Sequence, residues 1–172
     1  MGSLSRRDDA RLDFAAGAPL FGPPLLLDTC VYIDNLEGSL PSTVEALLRT
    51  RTLVHLSVVL GELAHNFGRL DPRHVNTRQH LRELAWIIEG IPQHRLEHAI
   101  SAGVPLEAGI VSGLLFRLGG FRPGQEVAAL NDATIYLYAL ERGYTVLTRN
   151  IRDFDFINQI MPVGRVLFYR AV

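Results

Sequence analysis

The sequence predicts an α/β domain in which helices cover both faces of a central parallel sheet, a three-layer α/β/α arrangement. Short β-prone runs at residues 24–27, 52–56, 144–148 and 165–169 are separated by segments with helical periodicity. Strands that alternate with helices are typical of parallel sheets, whose strands are buried on both faces and therefore appear as continuous apolar runs.

The first strand is an apolar run at residues 24–27 that ends abruptly at Asp28 and Thr29. A buried strand followed by a helix start explains this change, so we expect Asp28 at the carboxyl end of the strand. A short amphipathic helix follows from Ser42 to residue 49, with Ser42 as its N-cap.

The second strand, at residues 52–56, leads into a helix for which Ser57 is the expected N-cap. Glu62 then lies in the early turns of that helix, just past a strand. The next two segments with helical periodicity are residues 74–89, which stop at Gly90, and residues 107–118. An arginine-bearing loop is expected at residues 121–124.

The last third of the chain predicts a helix, a strand, a turn and a final strand. The helix runs from Asn131 to residue 142, with Asn131 or Asp132 at its entry and Gly143 as its breaker. A strand at residues 144–148, a polar turn at 149–154 and a last strand at 165–169 complete the prediction.

Composition predicts one domain. A chain of 172 residues can bury a core without disulfides, and the single cysteine, Cys30, favours a reducing compartment. Residues 1–23 are polar without a sustained period, so we expect a flexible N-terminal arm outside the core and a domain at 24–172. The chain has no apolar stretch long enough to span a bilayer, so we expect a cytoplasmic protein without membrane contact. The net charge of −1 gives no global basic field for nucleic acid.

Carboxylates follow the predicted strands. In open α/β sheets, ligands bind outside the carboxyl ends of the strands, and this edge receives Asp28, Glu62 and the loop that holds Asp153. Carboxylates that converge there repel each other and need a cation. Oxygen ligands select Mg²⁺ or Mn²⁺, and an ion of this kind that keeps its waters can support phosphodiester hydrolysis.

The sequence resembles the PIN-domain ribonucleases, in particular the VapC-like toxins of bacterial type II toxin-antitoxin modules. The resemblance spans roughly residues 24–172 and rests on the segments LLLDTCVYID, HLSVVLGELAH and LNDATIYLYALERGYTVLTRNIRDF in that order. It implies a PIN-like fold and a metal-dependent endoribonuclease. It also implies an RNA substrate, a small antitoxin that blocks the site, and a homodimer.

The resemblance assigns site residues one by one. It places Asp28, Glu62 and Asp132 at the three acidic metal positions and matches Thr148 to a supporting hydroxyl at the end of the penultimate strand. We expect Asp153 at the fourth position, with Asn150 as the alternative. By position only, the candidates for gripping the RNA backbone are Arg149, Arg152 and Arg122.

Two other functions fit parts of the sequence. The first is a PIN-like module that has lost catalysis and binds RNA or protein. The second, more remote, is a zinc hydrolase, because His94, Glu97 and His98 match the inverted zinc-protease pattern HxxEH. The non-functional interpretation of that segment is a solvent-exposed helix face. Cys30 is not expected as a nucleophile, because the neighbouring Asp28 suppresses its thiolate.

Overall fold

The computed structural model describes residues 3–172 and shows an all-parallel five-stranded sheet. The strands are β1 (Leu25–Leu27), β2 (Leu53–Leu56), β3 (Leu96–Glu97), β4 (Thr145–Thr148) and β5 (Arg165–Phe168), and their spatial order is β3-β2-β1-β4-β5. The central strand β1 pairs with both β2 and β4, so neighbours in the sheet are not always neighbours in sequence. Because all pairs are parallel, the strands all end at the same edge of the sheet.

Within residues 3–172, seven α-helices flank this sheet. They are α1 (Thr29–Glu37), α2 (Ser42–Thr50), α3 (Ser57–Gly68), α4 (Thr77–Gly90), α5 (Gly103–Gly119), α6 (Glu126–Arg142) and α7 (Ile151–Ile160). The predicted three-layer α/β/α fold with a central parallel sheet is confirmed. Among residues 3–172, none of these helices is long and apolar enough to cross a membrane.

The core lies between the central strands and the helices that flank them. Leu25 and Leu26 of β1 are fully buried, as are Tyr138 of α6 and Phe154 of α7. Burial of such side chains contributes roughly 1.5–3 kcal/mol each. The β-branched and leucine-rich strands therefore form the middle layer that the apolar runs predicted.

The structure corrects the predicted ends of several helices. Pro41 and Leu56, not Ser42 and Ser57, occupy the N-cap positions of α2 and α3, and no side chain caps either helix. The prediction for α6 is further off, since this helix begins at Glu126 and so carries Asp132 in its second turn instead of at its entry. The run Val-Ala-Ala-Leu at residues 127–130 has enough helix propensity to extend the helix backwards.

The predicted polar turn at residues 149–154 is wrong beyond Asn150, because Ile151 begins α7. Polar residues interrupt the apolar spacing of this segment, yet Phe154 and Ile157 are fully buried. The fully buried Asp155 is compensated from a distant part of the chain by Arg7. Tertiary contacts therefore stabilise a helix that local pattern did not indicate.

Residues ahead of β1 also take part in the core, which corrects the expectation that they lie outside it. Leu12 and Ala15 are buried, and the backbone N–H of Phe168 in β5 donates to the carbonyl of Asp13 at 2.8 Å. The division into an arm at 1–23 and a domain at 24–172 stays a prediction, and residues 1 and 2 lie outside the described part.

Candidate active site

Asp28 lies where the central strand ends. It follows β1 directly and is the N-cap of α1, with Oδ1 accepting from the backbone N–H of Thr29 at 2.7 Å. Its Oδ2 accepts from the hydroxyl of Thr148 at 2.6 Å and from the thiol of Cys30 at 3.1 Å. Three donors therefore fix the orientation of this buried carboxylate.

Glu62 faces the same edge from the second turn of α3. Its Oε2 accepts from the hydroxyl of Thr29 at 2.6 Å, and its Oε1 accepts from the amide of Asn131 at 2.6 Å. The carboxylate therefore joins the starts of α1 and α3 to α6. Its hydrogen bonds explain why Glu62 is not an ordinary solvent-facing residue.

Asn150 links the other two acids. Its side-chain amide nitrogen lies 3.0 Å from Asp132 Oδ2 and 3.2 Å from Asp153 Oδ2, and its backbone N–H donates to the Thr148 hydroxyl at 2.8 Å. The structure thus brings both candidates for the fourth position to the site, with Asn150 holding Asp153 beside Asp132. Which of the two takes that position stays a prediction.

The electrostatics of the site are those of crowded carboxylates. Burial raises the pKa of Asp132 well above its usual range, and the charges of Asp28, Asp153 and Glu62 raise it further. Burial also raises the pKa of Asp28, although its hydrogen-bond donors act in the opposite direction. The four acids therefore lie close enough to repel one another, and a cation bound among them would reduce that repulsion.

Cys30 lies beside Asp28 without the properties of a nucleophile. Burial raises the pKa of its thiol, and the charge of Asp28 raises it further. Its sulfur contacts the backbone N–H of Arg149 at 3.1 Å and the Thr148 hydroxyl at 3.7 Å. A protonated thiol that donates to Asp28 matches the expectation that Cys30 is not the nucleophile.

A cleft of about 890 Å³ opens over the acids. The four predicted acidic residues all line it, together with Asn131 and Asn150. Residues along α3 and its C-cap Arg69 form one part of the lining, and the start of α6 with the preceding glycine loop forms another. A volume of this size is in the range of ligand-binding clefts.

The acids fit a hard divalent cation in chemistry more closely than in geometry. The donors are all oxygens, and Asp153 Oδ1 is buried without a hydrogen-bond partner, although Arg152 Nη1 lies 3.7 Å away as an ion-pair partner with which a bound cation would compete. Within residues 3–172, however, no three acidic, histidine or cysteine side chains are arranged to surround one metal ion. A shared ion therefore requires at least one of these side chains to adopt another rotamer.

The three arginines chosen by position lie outside the cleft lining, although Arg152 forms a 3.7 Å ion pair with the site residue Asp153. Arg149 pairs with the buried Asp34 at 3.2 Å, and Arg152 donates to the carbonyl of Gly119 at 2.8 Å. Arg152 also stacks over two aromatic rings. None of these three arginines, Arg122 included, is among the described residues that line the cleft.

The zinc pattern is not a zinc site. His94 is in a 3-10 turn and Glu97 is in β3, so the expected helix face is wrong for this segment. Glu97 accepts hydrogen bonds from the hydroxyls of Tyr138 at 2.9 Å and Tyr144 at 3.2 Å. The carboxylate that a zinc hydrolase would use as a base is thus committed to structural contacts. Its strand, β3, pairs with β2.

Sequence reasoning missed several residues of the cleft. Asn131 appeared only as a helix start, whereas its amide holds Glu62. His65, Asn66 and Arg69 also line the cleft and were not singled out. Their spacing of three, four and seven residues from Glu62 places them on one face of a helix, so the signal was present in the sequence.

Comparisons with known proteins show similarity in fold. No protein-family model matches the sequence, and no curated protein matches it either. A chain in the crystal structure of VapBC2 from Rickettsia felis, bound to a DNA fragment from its promoter, matches with 23% identity and a TM-score of 0.55. That match covers 86% of this chain and 99% of the other.

Two further solved structures show the same fold. FitAcB from Neisseria gonorrhoeae matches with 18% identity and a TM-score of 0.57, over 84% of this chain and 96% of the other. FitAB bound to the IR36 DNA fragment matches with 18% identity and a TM-score of 0.54, over 84% and 94% of the two chains. The resemblance to VapC-like PIN domains is thereby confirmed at the level of the fold.

Proposed function

We propose that this chain is a Mg²⁺- or Mn²⁺-dependent endoribonuclease that hydrolyses RNA phosphodiester bonds. One observation carries the proposal: Asp28, Glu62, Asp132 and Asp153 come from four separate elements and line one cleft at the carboxyl edge of a parallel sheet. Such a cluster costs free energy through repulsion, and a structural role does not explain it. The fold shared with the VapBC2 and FitAcB chains supports the same conclusion.

The chain's own residues set up the reaction in three ways. Thr148, Thr29 and Cys30 hold Asp28 in one orientation, and Asn131 and Thr29 hold Glu62. Asn150 keeps Asp132 and Asp153 side by side. When bound by these acids, a hard divalent cation would neutralise phosphate charge and lower the pKa of a water that acts as nucleophile.

We further propose that the protein is a cytoplasmic VapC-like toxin, that a cognate antitoxin neutralises it by covering the site, and that it forms a homodimer. The shared fold with chains of VapBC2 and FitAcB supports this assignment. Exposed apolar residues on α5 and α6, including Leu106 at 70% and Val127 at 71% exposure, support contacts with another protein.

A second candidate is the PIN-like module that binds RNA or protein without cleaving it. The absence of a ready three-residue metal shell among residues 3–172 favours it. The two candidates differ in one measurable property, which is metal-dependent cleavage.

The test is cleavage of a labelled RNA by the purified protein with Mn²⁺, with Mg²⁺ and with EDTA. We expect cleavage by the wild type with metal, none with EDTA, and a loss of at least a hundredfold in Asp132→Asn. Asp8→Asn, a matched change at an exposed carboxylate, should retain full activity. RNA binding without cleavage by the wild type would instead identify the binding module.

A further inference from the structure

The wall of the cleft formed by α3 continues past the acids. Glu62, His65, Asn66 and Arg69 all line the cleft and follow one another at helical spacing. At 1.5 Å per residue, Arg69 lies about 10 Å along the helix axis from Glu62. The cleft therefore has an acidic end at the sheet and a basic end at the C-terminus of α3.

The three polar side chains beyond Glu62 are free to bind a ligand. His65, Asn66 and Arg69 are exposed, and in the described part of the chain their side chains make no hydrogen bond or ion pair. This differs from the other polar groups of the cleft, which hydrogen-bond one another. Each of the three side chains carries hydrogen-bond donors that suit a phosphate oxygen.

Arg69 has a special place in the charge balance of the cleft. The chain contains no lysine, so arginine supplies all its strongly basic side chains. Among the described residues that line the cleft, Arg69 is the only arginine. A phosphate chain near four carboxylates is repelled unless donors and positive charge lie close by, and a guanidinium can bind phosphate through two parallel hydrogen bonds.

A second part of the lining, outside α3 and the acids, is apolar. Gly124, Val127 and Ala128 form it, and Val127 is 71% exposed although it faces the cleft. The glycine has φ +94°, a conformation that side-chain-bearing residues rarely adopt, so the loop approaches the cleft without a side chain. A ribose or base edge fits this wall, whereas a phosphate fits the wall of α3.

We propose that His65, Asn66 and Arg69 form a phosphate-binding subsite that holds the backbone of single-stranded RNA next to the acids. The subsite, hereafter the α3 subsite, reads the backbone and not the base sequence. It places Arg69 against a phosphate neighbouring the one that is cleaved. The inference rests on the proposed function for its substrate, and it assigns the binding role to residues other than Arg149, Arg152 and Arg122.

The test measures binding separately from cleavage. The probe is a fluorescently labelled 12-nucleotide RNA without secondary structure, and anisotropy is recorded at several salt concentrations with Asp132→Asn protein as the background. Arg69→Gln is compared in that background with Arg78→Gln, a matched change at an exposed arginine of α4 outside the cleft. Thermal unfolding of each variant confirms that it is folded.

We expect Arg69→Gln to weaken binding by about fivefold to tenfold. The slope of log K against log salt concentration should become shallower by about 0.7, the value for one phosphate contact on a single strand. The double variant His65→Ala, Asn66→Ala should weaken binding by a similar factor, equally for U-rich and A-rich probes. Arg78→Gln should change it less than twofold.

Equal affinities for Arg69→Gln and Arg78→Gln would overturn the α3 subsite, whatever the cleavage assay shows. RNA binding that depends on Arg69, in a wild type that never cleaves RNA, would support the subsite and overturn the nuclease. If the folded protein binds no RNA, the subsite is also wrong. His65 and Arg69 then only stabilise the negative end of the helix dipole of α3.

Discussion

The hydroxyl of Thr148 donates a 2.6 Å hydrogen bond to Asp28 Oδ2 and so joins the ends of the neighbouring strands β4 and β1. Both side chains are buried, and the same hydroxyl accepts from the backbone N–H of Asn150. One hydroxyl therefore positions Asp28 and the start of the segment that carries Asn150 and Asp153.

The first prediction concerns this hydroxyl. Thr148→Val keeps the shape of the side chain but removes the donor to Asp28 and the acceptor for Asn150. Loss of such a partner of a metal-site residue typically costs 10–100-fold, so we expect RNA cleavage to fall by about that factor. Thr148→Ser, which keeps the hydroxyl, should recover most of the rate. Full activity in Thr148→Val would show that the hydrogen bond has no part in catalysis.

The second prediction separates stability from activity at Asp132. Burial, together with the charges of three neighbouring carboxylates, disfavours its charged form. Asp132→Asn removes that charge at nearly constant volume, so in EDTA we expect the free energy of unfolding to rise by about 1 kcal/mol while cleavage is lost. Urea denaturation of both proteins measures the difference. A clear destabilisation would mean that the carboxylate is a structural group.

A related prediction concerns the metal. An ion that binds the folded acids but not the unfolded chain raises the free energy of unfolding by RT ln(1 + [L]/Kd). Millimolar Mn²⁺ should therefore raise the melting temperature of the wild type, and should raise that of Asp132→Asn much less. Identical shifts in the two proteins would place the ion outside the cleft.

The fourth prediction is a pH dependence at His55. Burial, with a smaller contribution from Arg95, lowers the pKa of this side chain to about 4, and its Nδ1 lies 2.6 Å from the hydroxyl of Tyr32. Between pH 6.5 and 4 the unfolded chain therefore binds a proton that the folded protein does not. The stability associated with neutral His55 is present above pH 6.5 and is lost as the pH falls, by roughly 1 kcal/mol per pH unit.

His55→Gln supplies the comparison, because glutamine does not titrate. Acids with raised pKa, such as Asp132, act in the opposite direction, so only the difference between the two proteins reports on His55. Urea denaturation at several pH values should give a flatter profile for the variant below pH 6.5. Parallel profiles would contradict the buried neutral histidine.

The fifth prediction tests the segment ahead of β1. Arg7 Nε donates to Asp155 Oδ1 at 2.5 Å, and the Arg7 backbone N–H donates to Oδ2 at 2.8 Å. Arg7→Ala leaves the fully buried Asp155 without its cation, so we expect a loss of about 2–3 kcal/mol in urea denaturation. Arg6→Ala, in an exposed pair with Asp9, should cost less than about 0.5 kcal/mol. Equal small losses would mean that the segment is not part of the folded unit.

Much of the fold follows from local pattern. The apolar run that stops at Asp28 predicts both the strand and the position of its acid, because a buried parallel strand must be apolar throughout. Helix α7 and the buried Leu12 do not follow in the same way. Their stability comes from partners more than a hundred residues away, such as Arg7 for Asp155, and no local window contains that information.

The candidate site could also be predicted only in part from the sequence. Position at strand ends indicates which acids meet, so Asp28 and Glu62 were found from the sequence. Hydrogen-bond partners such as Asn131 depend on where α6 begins, and that boundary was placed five residues too late. The arginines are candidates by position only, whereas Arg149 pairs with the buried Asp34 and Arg152 donates to the carbonyl of Gly119.

The pairing of β1 with β4 has a consequence for the order of events during synthesis. Asp28 and Thr148 are 120 residues apart in the chain, and their strands can meet only after β4 has left the ribosome. Contacts of such high contact order form slowly, because a long loop must close first. A nascent chain therefore carries Asp28 and Glu62 without an assembled cleft until β4 has been synthesised, and any activity appears only after that point.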